Sequence, residues 1–157
     1  MTDIITLVHR KLLVLKKTIA VAESCTGGML SMLLTSKSGS SSYFLLGVVS
    51  YSNSAKISIL GIRKKYLQNF GAVSREVAQA MVKAVQKIAH SDYAISITGI
   101  AGPGGGTIKK PVGTVWIALK DSKRLLCQKF LFKGSRSSIR KQASKKALEL
   151  LYKEFLC

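Results

Sequence analysis

Three short apolar runs, closed by turns of small polar or glycine residues, constrain this chain most. Thr18-Ile19-Ala20-Val21-Ala22, the stretch from Tyr43 to Ser50 and the stretch from Asp92 to Ile100 read as buried strands. The second of these opens with a helical turn. Between the runs lie segments with helical spacing. Ile4, Ile5, Val8, Leu12 and Leu15 predict a helix over 3–16, with Thr2 or Asp3 as N-cap. Val77, Ala80, Met81, Ala84, Val85 and Ile88 mark the stripe of the clearest helix, capped by Ser74. Shorter helices are expected from the Ser24–Gly28 turn to about Ser36, from Ser52-Asn53 to Ile59 with Gly61 as the stop, and over 63–69. Alternating segments at 112–120 and 124–133 read as a hairpin around Asp121-Ser122-Lys123. Ile139, Ala143, Ala147, Leu150 and Leu151 place a closing helix from about Ser137 to Phe155. Strands alternating with helices, then a hairpin and a helix, imply an α/β sandwich on a mixed sheet. With 157 residues and no internal repeat, one domain is expected.

Composition narrows the function classes. Apolar residues make up 47% of the chain, which argues for a packed core rather than disorder. The N-terminal apolar stretch is broken by His9-Arg10-Lys11, so no signal peptide is expected. The longest apolar run, Tyr43 to Val49, is far shorter than the ~20 residues of a membrane span, so no membrane partner is expected. Cys25, Cys127 and Cys157 are odd in number and widely spaced, which points to a reducing cytoplasm. Acidic and histidine ligands are scarce, so neither a metal nor another cofactor is expected. A net charge of +18 would attract any polyanion, RNA included. Residues 133–157 hold seven basic and two acidic residues, so most of the excess is spread over the rest of the chain. A diffuse field gives non-specific attraction only, and drawing in a small phosphorylated substrate is its more economical use.

Three segments have compositions that packing alone does not require. Glu23-Ser24-Cys25-Thr26-Gly27-Gly28 joins a strand end to a helix start, where ligands bind in sheet proteins of this kind. A serine there lies near free backbone N–H groups and the positive end of a helix dipole, and the glycines let a substrate approach. From this motif alone, Ser24 reads first as an N-cap. In the second segment, Gly47 to Lys56, Tyr51 in the turn and Lys56 one helical turn later can converge. A Ser, Tyr and Lys set can replace Ser-His-Asp, the tyrosine oxygen carrying the proton and the ammonium lowering its pKa. The alternative is an amphipathic tyrosine and a solvated lysine. The third segment, Thr98 to Gly106, brings backbone close to a ligand or forms a flap. It is not a phosphate loop, since no GK[ST] follows. His9 and His90 lie outside all three segments, which disfavours a Ser-His or Cys-His site. Cys25 stays open as an alternative nucleophile.

Taken together, Ala22–Gly28, Gly47–Asn53, Gly71-Ala72-Val73-Ser74, Thr98–Gly106 and Lys110–Val115 resemble the CinA (competence/damage-inducible) C-terminal domain family, in order across residues 18–120. The resemblance implies a three-layer α/β/α sandwich with a mixed sheet. It implies hydrolysis of nicotinamide mononucleotide to nicotinate mononucleotide and ammonia, as in the family's stand-alone deamidases, which lack an N-terminal molybdopterin-binding-like domain. On that analogy Ser24 is the nucleophile and Tyr51 with Lys56 activates it. Backbone around Thr26, Gly27, Gly28, Gly47, Thr98, Gly99, Ala101 and Gly102 would hold the substrate, with the oxyanion at the first turn or the last strand end. Arg136 and Arg140 resemble the family's phosphate-binding arginines. Family members commonly carry an acidic residue just before the first of these, where this chain has Ser135. A homo-oligomer is expected; the alternative reading is a non-catalytic nucleotide- or RNA-binding module of the same fold.

Overall fold

The computed structural model describes residues 3–157. Five strands form one mixed sheet: β1 (Ile19–Glu23), β2 (Phe44–Val49), β3 (Tyr93–Gly99), β4 (Thr114–Lys120) and β5 (Leu125–Leu131), in the order β2-β1-β3-β4-β5. β1 runs parallel to β2 and β3, whereas β4 and β5 are antiparallel additions. Asp121 shapes the hairpin by accepting from the N–H groups of Lys123 and Arg124 at 2.7 and 2.6 Å.

Six helices cover the two faces, giving three layers. On one face α1 (Ile4–Leu15), α2 (Met29–Leu34) and α6 (Arg136–Leu151) pack on branched strand residues such as Val21, Ile95, Ile97 and Ile117. On the other, α3 (Asn53–Ser58), α4 (Lys64–Phe70) and α5 (Arg75–Ala89) follow β2. There the strands offer Ala20, Ala22, Ala94 and Ala118, and α5 comes close enough for the Ser96 hydroxyl to donate to the Ala78 carbonyl at 2.6 Å. Among the described residues no helix is long and apolar enough to cross a membrane.

Several local expectations need correction. The 43–50 run is an edge strand, and Leu45, Gly47 and Val49 are exposed in alternation with half-buried Phe44, Leu46 and Val48, because at this edge their face of the sheet is only partly covered by α2. Its helical turn falls earlier, at Ser40–Ser42. Leu15 and Ile88 lie exposed at the ends of α1 and α5, and Ala78 and Val82 complete the α5 stripe instead. α2 ends at Leu34, and α6 gives way at Tyr152 to a wider π-type turn. Asp3 holds the α1 N-cap position without a side-chain bond, and Thr2 lies outside the described residues.

The topology opens a crevice where β1 and β3 end. β1 leads to α2 on one face, while β2 crosses to β3 through α3–α5 on the other. The ladders continue one residue beyond the strands, with Ser24 N–H donating to Ile97 O and Ser50 N–H to Glu23 O, each at 2.9 Å. Ser24 and Ser50 are thereby held side by side at the carboxyl ends of β1 and β2.

Candidate active site

A cavity of about 260 Å³ occupies this crevice. Ser24, Tyr51, Lys56 and Arg136 line it together with Thr98, Gly99, Ala101 and Gly102 of the third segment. Its far wall is Ala72-Val73, drawn over the strand end by the Thr98 hydroxyl, which donates to the Ala72 carbonyl at 2.8 Å.

Lys56 is the unusual group. Ser52 caps α3 by accepting from the Ala55 N–H, and one turn on, Lys56 points back under the strand ends. It is 1% exposed, and no carboxylate contacts it among the described residues. Its ammonium nitrogen donates to Ser24 Oγ at 3.0 Å, the Ser50 carbonyl at 2.8 Å and the Tyr51 carbonyl at 3.4 Å. Burial holds its pKa below the ordinary lysine value, with the neighbouring Cys25 opposing that shift. A lysine so placed is a base within reach of a serine proton.

Tyr51 does not meet Ser24 in this conformation. Its ring is 56% exposed, and its hydroxyl accepts from Arg136 Nη2 at 2.6 Å while Nη1 of the same arginine donates to the Gly102 carbonyl at 2.9 Å. Tyrosine and lysine, expected to converge, divide their contacts: Lys56 takes the serine and Tyr51 the arginine.

The Ser24 turn is organised by a group that the sequence reading did not single out. Glu23 is fully buried, and its carboxylate accepts from the Thr26 hydroxyl, the N–H groups of Gly28, Leu30 and Ser31, and the Ser31 hydroxyl, all between 2.6 and 3.1 Å. The start of α2 is therefore occupied from inside. Gly27 N–H is also engaged, by the Ser24 carbonyl at 3.1 Å. Thr26, Gly27, Gly28 and Gly47 do not line the cavity. Gly47 faces Ser31, where an added Cβ would lie 2.5 Å from the hydroxyl oxygen. Arg140 lies outside the cavity as well, bracing the turn by donating from Nη2 to the Thr26 carbonyl at 2.8 Å. At the other expected oxyanion position Ile100 N–H is taken by Thr114 O, whereas the N–H groups of Ala101 and Gly102 have no acceptor among the described residues.

Cys25 also borders the cavity, but its side chain belongs to the apolar core at 6% exposure. Burial first, then the Glu23 charge, push its thiol up to about 12, against the partial opposition of its own backbone N–H, Lys56 and Arg140. At neutral pH it is a thiol, a poor nucleophile beside the lysine-bonded serine.

The same architecture occurs in known proteins. The model of the CinA C-terminal domain matches residues 1–155. The chain belongs to the CinA C-terminal domain family. It is 50% identical over 147 residues to a CinA-like protein of Endomicrobium trichonymphae and 50% identical over 151 residues to one of Leptospira biflexa. These matches cover 94% and 96% of this chain but 34% and 36% of the relatives, so the chain spans about a third of the length of these curated relatives. Among solved structures, a CinA superfamily protein from Klebsiella pneumoniae superposes with a TM-score of 0.93 at 34% identity, covering 96% of this chain and 94% of that one. A competence/damage inducible protein from Agrobacterium tumefaciens gives 0.92 at 37% identity, covering 98% and 96%.

The residue just before Arg136 has a local role. Ser135 is the N-cap of α6, its hydroxyl accepting from Ser138 N–H at 3.3 Å. Serine fills an N-cap about as well as an acidic residue, so the start of the helix that carries Arg136 is kept.

Proposed function

We propose that this CinA-family chain is an amidohydrolase that converts nicotinamide mononucleotide to nicotinate mononucleotide and ammonia through a Ser24 acyl-enzyme. The observation that carries the reading is the buried Lys56 ammonium, free of carboxylates and 3.0 Å from Ser24 Oγ. In its neutral form Lys56 takes the serine proton as Oγ bonds to the amide carbon. The C–N bond then breaks, and the same proton passes from the lysine to the leaving nitrogen, which departs as ammonia. Water, deprotonated by Lys56, hydrolyses the ester. The free N–H groups of Ala101 and Gly102 suit the oxyanion.

Arg136 suits the substrate phosphate, since a guanidinium pairs more strongly with a phosphate dianion than with a neutral phenol. In this reading the phosphate displaces the Tyr51 hydroxyl, and Tyr51 swings inward to complete the Ser-Tyr-Lys set. The three free cysteines fit a reducing cytoplasm. The half-exposed Leu45 and Val49 on the β2 edge fit self-association, which light scattering would measure.

Purified protein is expected to release ammonia from nicotinamide mononucleotide without added metal, in the presence of a chelator, and not after Ser24→Ala. Turnover by that variant at the native rate would refute Ser24 as nucleophile. Loss on Cys25→Ala but not on Ser24→Ala would move the assignment by one residue.

A further inference from the structure

Behind the wall formed by 70–74 lies a second cavity, of about 440 Å³, and Val73 borders both. Four cations line it: Arg75 at the start of α5, Lys109 and Lys110 between the third segment and β4, and Lys129 of β5. None of them forms an ion pair among the described residues, although Glu76 is also in the lining. Like charges gathered in a concavity repel one another unless an anion joins them. Two aromatic rings accompany the charges. Phe70 is 40% exposed, and Trp116, paired across the hairpin with Lys129, has the Arg75 guanidinium 5.5 Å above its ring. Lys110 ties this cavity to the 70–74 wall by donating to the Phe70 carbonyl at 2.9 Å.

Flat rings beside unpaired cations recognise a base and a phosphate at once. We propose that this cavity is a nucleotide-binding site distinct from the Ser24 cavity, its base stacked at Trp116 and Phe70 and its phosphate held by Lys109, Lys110 and Lys129. The assignment does not rest on the reaction proposed at Ser24.

Trp116 is the sole tryptophan of the chain, so its fluorescence reports this cavity alone. AMP is expected to quench it saturably, and inorganic phosphate to compete without quenching. Lys109→Ala with Lys129→Ala, two exposed lysines, should weaken AMP by about tenfold or more. Ser24→Ala should leave AMP binding unchanged. Absence of saturable quenching at millimolar AMP, or equal affinity in the lysine double variant, would overturn the proposal. So would a single-stranded oligonucleotide that binds far more tightly than AMP, because the cavity would then be one stretch of a nucleic-acid track.

Discussion

Cys25 stands next to the proposed nucleophile, and its chemistry separates two mechanisms. With its thiol raised from 9.0 to about 12, the thiolate fraction at pH 8 falls about 10³-fold below that of an ordinary cysteine. Alkylation with iodoacetamide at pH 8, followed by peptide mass spectrometry, should therefore modify exposed Cys157 first. Cys127, raised to about 11 chiefly by burial, should follow, and Cys25 should come last. The same shift makes a stability statement. A thiol whose pKa is higher folded than unfolded contributes stability below pH 9 and loses it as pH climbs towards 12, about 4 kcal/mol over the full span. Between pH 8 and 10.5 the accessible part is about 2 kcal/mol. Urea unfolding across that range should show the loss in wild type and a correspondingly flatter profile in Cys25→Ala. Alkylation of Cys25 as fast as Cys157, or a Cys25→Ala variant that no longer releases ammonia, would refute the assignment of chemistry to Ser24.

Further outcomes follow from the same geometry. Lys56→Met should abolish ammonia release. Because burial lowers the Lys56 pKa, the charged lysine costs stability at neutral pH and the cost fades as pH rises towards 10.5, so the stability of the variant relative to wild type should decline over that interval in urea titrations. Glu23→Gln turns an amide NH₂ towards at least two donors whichever way it is placed, and should cost about 2–4 kcal/mol in denaturant midpoint analysis. Arg136→Ala should raise KM for the nucleotide by about 10–100-fold while changing turnover of the corresponding nucleoside far less, as steady-state kinetics on the two substrates would show.

Much of the fold was legible because burial on both faces leaves a plain signature. β1 and β3 are continuous apolar runs, and the helices between them carry caps at Ser52 and Ser74 that the structure uses as such. β2 has the same apolar composition, yet edge or centre is decided by which strands pair, and that information is not local. Ser24, Tyr51 and Lys56 could be singled out since polar residues at strand ends and helix starts have few packing reasons to be there, whereas Arg136 came only from the family resemblance. Their contacts could not be read in the same way. Side-chain direction put Tyr51 on Arg136 and turned Arg140 to a backbone carbonyl instead of the cavity. Glu23 did leave a trace, a charged residue at the end of Ile19-Ala20-Val21-Ala22 just before a helix, the pattern of an acceptor waiting for helix N–H groups.

That carboxylate has a consequence for how a ligand is received. A helix start of this kind usually offers itself to an external anion, and its loop settles only once the anion arrives. Here the Glu23 side chain fills that role from inside the fold, so the loop is held in place by the protein itself. On the proposed function, that leaves Arg136 as the seat of the substrate phosphate, with the amide directed towards Ser24. On that proposal, little binding free energy is spent on ordering the proposed nucleophile.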